Sequence, residues 1–245
     1  STCDNVYWCR ARNCIGLGSG MTNSPMKLFY SPRSPFVRKV MMVLHETDQL
    51  SDVELVPQTV ALHLAPSEEV LAQNPLGKIP AMIDENGEPL FDSRVICEHL
   101  DRRAGAGLFP EDQDQRNKQL RWQALGDGLT DILLIWRTEI TRPSGVWSDV
   151  AEGWRVKVQH SMKQLEHDAR QLSETPFGIG QIAVICALGQ LDFRWPDCNW
   201  RAHFLALSTC EKVWLERHST RLTIVPEEAA AVGAEITAGH LRFSA

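Results

Sequence analysis

The chain has 245 residues, 43% hydrophobic and 23% charged, an ordinary globular composition with room for two modest domains. Against 31 acidic residues stand 25 basic ones, and the formal net charge of −6 argues against a nucleic-acid binder. The longest apolar run, Ile182 to Leu188, is far too short to span a membrane. No basic segment leads into an apolar stretch and a cleavage site, so no secretory signal is visible.

Seven cysteines (Cys3, Cys9, Cys14, Cys97, Cys186, Cys198 and Cys210) make an odd count with no zinc or redox spacing. Four lie in apolar or helical contexts, where a free thiol behaves as a small buried hydrophobe. That suits a reducing compartment, and a cytoplasmic location is expected. The eight histidines show no metal-ligand spacing, so no metal is expected, and His99 and His167 read as surface residues of helices.

Residues 1–20 carry three cysteines, no periodicity and a Gly-Leu-Gly-Ser-Gly ending, and read as an appended or disordered leader. From Lys27 a pattern sets in. Lys27 to Tyr30 is a short strand, Ser31 to Pro35 a proline-punctuated turn, and Phe36, Val40, Val43 and Leu44 recur at helical spacing. Val53 to Val56 is a second strand, and Ser67 to Gln73 a helix stopped by Asn74-Pro75. Two further strands, Ala81 to Ile83 and Pro89 to Phe91, flank Asn86-Gly87, which predicts a type I′ hairpin. Asp92-Ser93 then caps a helix to about Arg103. The order β-α-β-α-β-β-α is that of a thioredoxin-like α/β domain, placed at residues 21–103.

The glycine- and proline-containing stretch 104–112 reads as a linker to an all-α helical-bundle domain at 113–226. One apolar stripe runs through Trp122, Leu125, Leu129, Ile132, Leu133, Trp136 and Ile140, and another through Val150, Trp154, Val158, Met162, Leu165, Ala169 and Leu172. Ile182 to Leu188, apolar all round, is the expected buried central helix. Residues 227–245 are Ala-rich, weakly patterned and read as a tail.

The chemistry centres on Ser34-Pro35-Phe36-Val37. Serine is favoured at a helix N-cap and proline just after it, so Ser34 could serve as a cap alone. The same helix end presents unpaired N–H groups and partial positive charge, so it also stabilises an anion such as a thiolate.

Tyr30-Ser31-Pro32-Arg33-Ser34-Pro35-Phe36-Val37-Arg38-Lys39-Val40 resembles the first strand and active-site turn of serine-type, bacterial, cytosolic glutathione S-transferases. Asn74-Pro75-Leu76-Gly77-Lys78-Ile79-Pro80-Ala81 resembles their loop before a cis-proline, and Asp92-Ser93 their acidic-Ser pair. The likeness runs from Met26 to Pro226. It implies Ser34 as the hydroxyl that assists the glutathione thiol. It implies a glutathione site of Lys78, Ile79, Pro80, Asp92 and Ser93, with Asp127 reaching the glutathione of a partner subunit in a homodimer. Ser31, Pro32 and Arg33 would border the electrophile. Glutathione would be a cosubstrate, with no metal or prosthetic group, and the second partner a small hydrophobic electrophile.

Where redox relatives on this fold carry Cys-Pro-x-Cys, both cysteine positions are Ser34 and Val37, so the substrate must bring the sulfur. One departure stands out: Gly178-Ile179-Gly180-Gln181 replaces the family's Ser/Thr-x-x-Asp capping box, and a weaker cap is expected. A non-catalytic binding or regulatory protein, or a glutathione-dependent isomerase, lyase or dehalogenase, would share these features.

Overall fold

The computed structural model describes residues 25–225 and 236–243; the leader read at 1–20 lies outside them. Four strands, β1 (Met26–Tyr30), β2 (Val53–Pro57), β3 (Ala81–Ile83) and β4 (Pro89–Leu90), form one sheet in the order β2-β1-β3-β4. β1 runs parallel to β2 and antiparallel to β3, and β3 pairs antiparallel with β4. Helices α1 (Pro35–Glu46), α2 (Glu68–Gln73) and α3 (Ser93–Ala104) interleave with the strands as the periodicity predicts. α1 is buried along most of its length, from Val37 to Leu44, because it lies between the sheet and the helical half of the molecule.

The hairpin turn differs from its expectation. A type I′ turn needs positive φ at both central residues, and only Gly87 has it, at 86°. Asp84 decides the geometry: one carboxylate oxygen accepts the amides of Asn86 and Glu88 at 2.8 Å each, holding Asn86 in ordinary backbone space. These bonds hold the Asp84 carboxyl below its ordinary value, against the opposing effect of burial.

The helical half comprises α4 (Gln113–Ile140), α5 (Ser148–Glu174), α6 (Ile179–Arg194) and the shorter α7 (Trp200–His203), α8 (Leu205–Leu215) and α9 (His218–Leu222). α6 is the buried centre that its apolar run predicts. A Cβ at Gly126 would sit 2.7 Å from the Ala183 carbonyl carbon, so this glycine lets α4 and α6 touch backbone to backbone; Gly128 faces open space.

The cap of α6 is better supplied than its sequence suggests. The Gly178 amide donates to Gln181 Oε1 at 3.1 Å, the Ile179 amide to the Leu108 carbonyl at 3.1 Å, and the Gly180 amide to Gln119 Oε1 at 2.7 Å. A Cβ at Gly178 or Gly180 would overlap these partners, so the missing serine is replaced by close approach of α4 and its preceding loop.

Within the stretch read as a tail, residues 236–243 pack onto the helical half. Leu241 and Phe243 are buried, Phe243 meets Phe204 edge to face at 5.0 Å, and its amide donates to the Cys198 carbonyl at 3.0 Å. Cys97, Cys186, Cys198 and Cys210 are free and buried, as their contexts predict.

Candidate active site

Ser34 is the N-cap of α1. Its backbone is extended, and its Oγ accepts the Val37 amide at 3.3 Å. Pro35 follows at the first helical position, where its missing N–H loses nothing. The turn before it is held by the Ser34 amide donating to the Ser31 carbonyl at 3.1 Å. Ser31 is half-buried, and Pro32 and Arg33 are exposed beside it.

Phe36, two residues after Ser34, borders a cleft of about 110 Å³. Lys78, Ile79, Pro80, Asp92, Ser93 and Asp127, six residues expected in the glutathione site, all line it. Ile79–Pro80 is cis, and a second cis bond joins Phe91 to Asp92. Asn74 shapes the loop between α2 and β3: its Nδ2 donates to the Lys78 carbonyl at 2.8 Å and its Oδ1 accepts the Leu76 amide at 3.0 Å. Asp92 is the N-cap of α3, its carboxylate accepting the Arg94 amide at 2.9 Å. Two helix N-termini, of α1 and α3, thus flank one cleft, each carrying partial positive charge.

Ser34 and Arg33 line a separate, smaller cavity behind the turn, together with Pro35, Arg38, Cys186 and Gly189. Ser31 and Pro32 line neither space. On this side, burial first, then the nearby Arg137 and Arg33, lower the Arg194 guanidinium to about 10.

Asp127, expected to reach a partner subunit's glutathione, has contacts of its own within this chain. It is 3% exposed, and its two oxygens accept from Lys39 Nζ at 2.8 Å each, while Arg94 Nε donates to one of them at 2.9 Å. Lys39 is fully buried. The hydrogen bond to Asp127 is what raises the Arg94 guanidinium above its ordinary value. Asp127 therefore ties α4 to α1 and to the first turn of α3, directly behind Asp92 and Ser93. Phe36, Asn74, Leu76, Arg94 and Asp131 also line the cleft without having been expected there, and Lys39 is the unexpected partner of Asp127. A signal was present: Arg38-Lys39 places two charges inside the apolar run Val37 to Leu44.

A thioredoxin-like sheet, a serine-capped first helix, and a cleft where a cis-proline loop and an acidic-Ser cap meet the first turn of that helix are the marks of a glutathione-binding class of protein. Residues 28–108 match the family model described as "Glutathione S-transferase, N-terminal domain". The chain is 32% identical to the "Uncharacterized GST-like protein YibF" of Escherichia coli over 192 residues, 74% of this chain and 91% of that protein. A glutathione transferase family member from Pseudomonas fluorescens Pf-5, crystallised with bound glutathione, is 39% identical with a TM-score of 0.78, matching 82% of this chain and 99% of that one. The same Pseudomonas target (39% identical, TM-score 0.75, 82% of this chain and 100% of that one) was also solved with S-(propanoic acid)-glutathione. The chain belongs to the glutathione S-transferase family.

Proposed function

We propose that this protein is a glutathione transferase, activating the glutathione thiol at Ser34 for conjugation to a small hydrophobic electrophile. The observation that carries the reading is one cleft lined by the cis Ile79–Pro80 bond, Asp92, Ser93 and Phe36, the last from the first turn of the helix that Ser34 caps. The γ-glutamyl end suits Asp92, which takes its ammonium, and the α3 N-terminus with Ser93, which takes its carboxylate. The cysteinyl part lies along the backbone before Pro80, and Lys78 meets the glycyl carboxylate. That leaves the sulfur at the α1 N-terminus, with Ser31, Pro32 and Arg33 toward the electrophile. No metal or prosthetic group takes part, and the protein works in the cytoplasm. Asp127 acts by holding Arg94 and α3 in place. The relatives' bound glutathione and S-(propanoic acid)-glutathione support a thiol conjugation of this kind.

Turnover of glutathione with a panel of aryl halides, epoxides and unsaturated carbonyl compounds tests the proposal. Conjugate formation with at least one class is expected. Tight glutathione binding with no turnover on any of them points to a binding protein instead.

Replacing Asp92 or Ser93 by alanine weakens glutathione binding by roughly 1.5–3 kcal/mol per lost charge-assisted contact, with little change in thiol acidity. Calorimetric titration reads both, and wild-type affinity in the two variants refutes the γ-glutamyl assignment. We further propose a two-fold dimer, supported by the exposed Leu62, Leu64, Leu71 and Leu76 on one short stretch. Sedimentation at assay concentration should give a dimer; a monomer there excludes it.

A further inference from the structure

Arg38 is 8% exposed, yet its guanidinium has one side-chain partner, Thr223, to whose Oγ1 its Nε donates at 3.3 Å. No carboxylate lies within 4.0 Å of it among the described residues. A buried cation without a counter-anion is unfavourable, and this one is built in deliberately. A Cβ at Gly189, in the middle of α6, would overlap Arg38 Nη1, so the glycine keeps the space that the guanidinium fills. Burial lowers the Arg38 guanidinium below its ordinary value.

No resident carboxylate touches the guanidinium, although Asp192 and Glu211 favour its charge from a distance. Asp192 and Glu211 lie farther off on α6 and α8, and Arg201 already holds both, with bonds of 2.5–2.8 Å. Burial pushes the Cys186 thiol up to about 11, so it stays neutral near pH 7. Arg33, also on this cavity, is another cation. Arg38 stands four residues after Ser34 on α1, on the same helix face, and its amide donates to the Ser34 carbonyl at 2.9 Å. Both side chains line the same cavity of about 10 Å³, room for about one water molecule.

We infer that Arg38 is a positioning residue for the reactive sulfur: a fixed positive charge behind Ser34 that favours the ionised thiol of bound glutathione without touching it. The thiol proton leaves to solvent, and the thiolate gains from the Arg38 charge that the long-range pull of Asp192 and Glu211 leaves uncompensated by direct contact. This rests on Ser34 as the thiol site.

The test is the pH dependence of kcat/KM, with thiolate absorbance at saturating glutathione, for the full chain and for Arg38→Lys and Arg38→Gln. Arg38→Gln should raise the inflection by about one pH unit, the size Coulomb's law gives for a charge roughly 12 Å away at an effective dielectric near 20. Arg38→Lys should stay near wild type, and the KM for glutathione should change little in either. An unmoved inflection in Arg38→Gln, or an equal shift in Arg38→Lys, overturns the inference. If Arg38→Gln does not fold, Gly189→Ala displaces the guanidinium while keeping every charge; it too should raise the inflection, and an unmoved profile is again the contrary result. Ser34→Ala measured alongside separates the two claims. A crippled Ser34→Ala beside an unmoved Arg38→Gln removes only Arg38's role, whereas a fully active Ser34→Ala removes the Ser34 reading itself.

Discussion

Replacing Ser34 with alanine lowers kcat/KM for glutathione conjugation on the order of 10²-fold, the usual effect of removing one preorganised donor from a developing or bound anion. The inflection of the pH–rate profile moves up with it, toward the free-thiol value of about 8.5. The same change removes the Oγ that accepts the Val37 amide at the start of α1, which destabilises the fold by about 1 kcal/mol. That loss is visible in the melting temperature and leaves the protein folded at assay temperature, so the kinetic effect stands apart from it. Ser31→Ala, at the half-buried start of the turn, should keep near-wild-type kinetics; an equal or larger loss there reverses the assignment. Ser34→Cys restores the nucleophile of the redox relatives and should bring glutathione–disulfide exchange.

The second large effect is on stability. Lys39→Met leaves the Asp127 carboxylate in the interior with Arg94 alone, and Asp127→Asn leaves the fully buried Lys39 ammonium without its anion. Breaking a buried pair from either side destabilises by about 3–5 kcal/mol, a large part of the 5–15 kcal/mol typical of a folded domain. The double variant Lys39→Met/Asp127→Leu should recover much of this, because the two side chains share one interaction. The exposed pair Arg170–Glu174 is the control: Arg170→Ala should change stability by less than about 0.5 kcal/mol. Urea unfolding of the four variants decides the matter, and a loss below about 1 kcal/mol for Lys39→Met contradicts the buried-pair account. Asp127→Asn should also raise the KM for glutathione, since Arg94 loses its anchor beside Ser93.

What could be read in the sequence follows from what is local. Strand alternation, caps and stop signals are short-range physics, and they place β1 to β4, α1 to α3 and the buried α6 close to where they stand. The cis Ile79–Pro80 bond was legible only through the family's loop motif, because cis is a minority state of an X-Pro bond. The turn at Asn86-Gly87 was misread because Asp84, two residues upstream, outcompetes the dipeptide's own preference with its side-chain bonds. Residues 236–243 gave too weak a pattern to predict that Leu241 and Phe243 would be buried; their partners, such as Phe204, lie far off in the chain. Lys39 and Arg38 show the same limit: two charges in an apolar run are conspicuous, but Asp127 and Gly189, which accommodate them, are known only once α4 and α6 pack on α1.

The central claim is that this cleft binds glutathione with its sulfur ionised at the α1 N-terminus. Titration of the thiolate absorbance of glutathione bound to the wild-type protein tests it most directly. An inflection at least one unit below the free-thiol value of about 8.5, lost on Ser34→Ala, is the predicted result. An inflection at the free-thiol value in both proteins would contradict it.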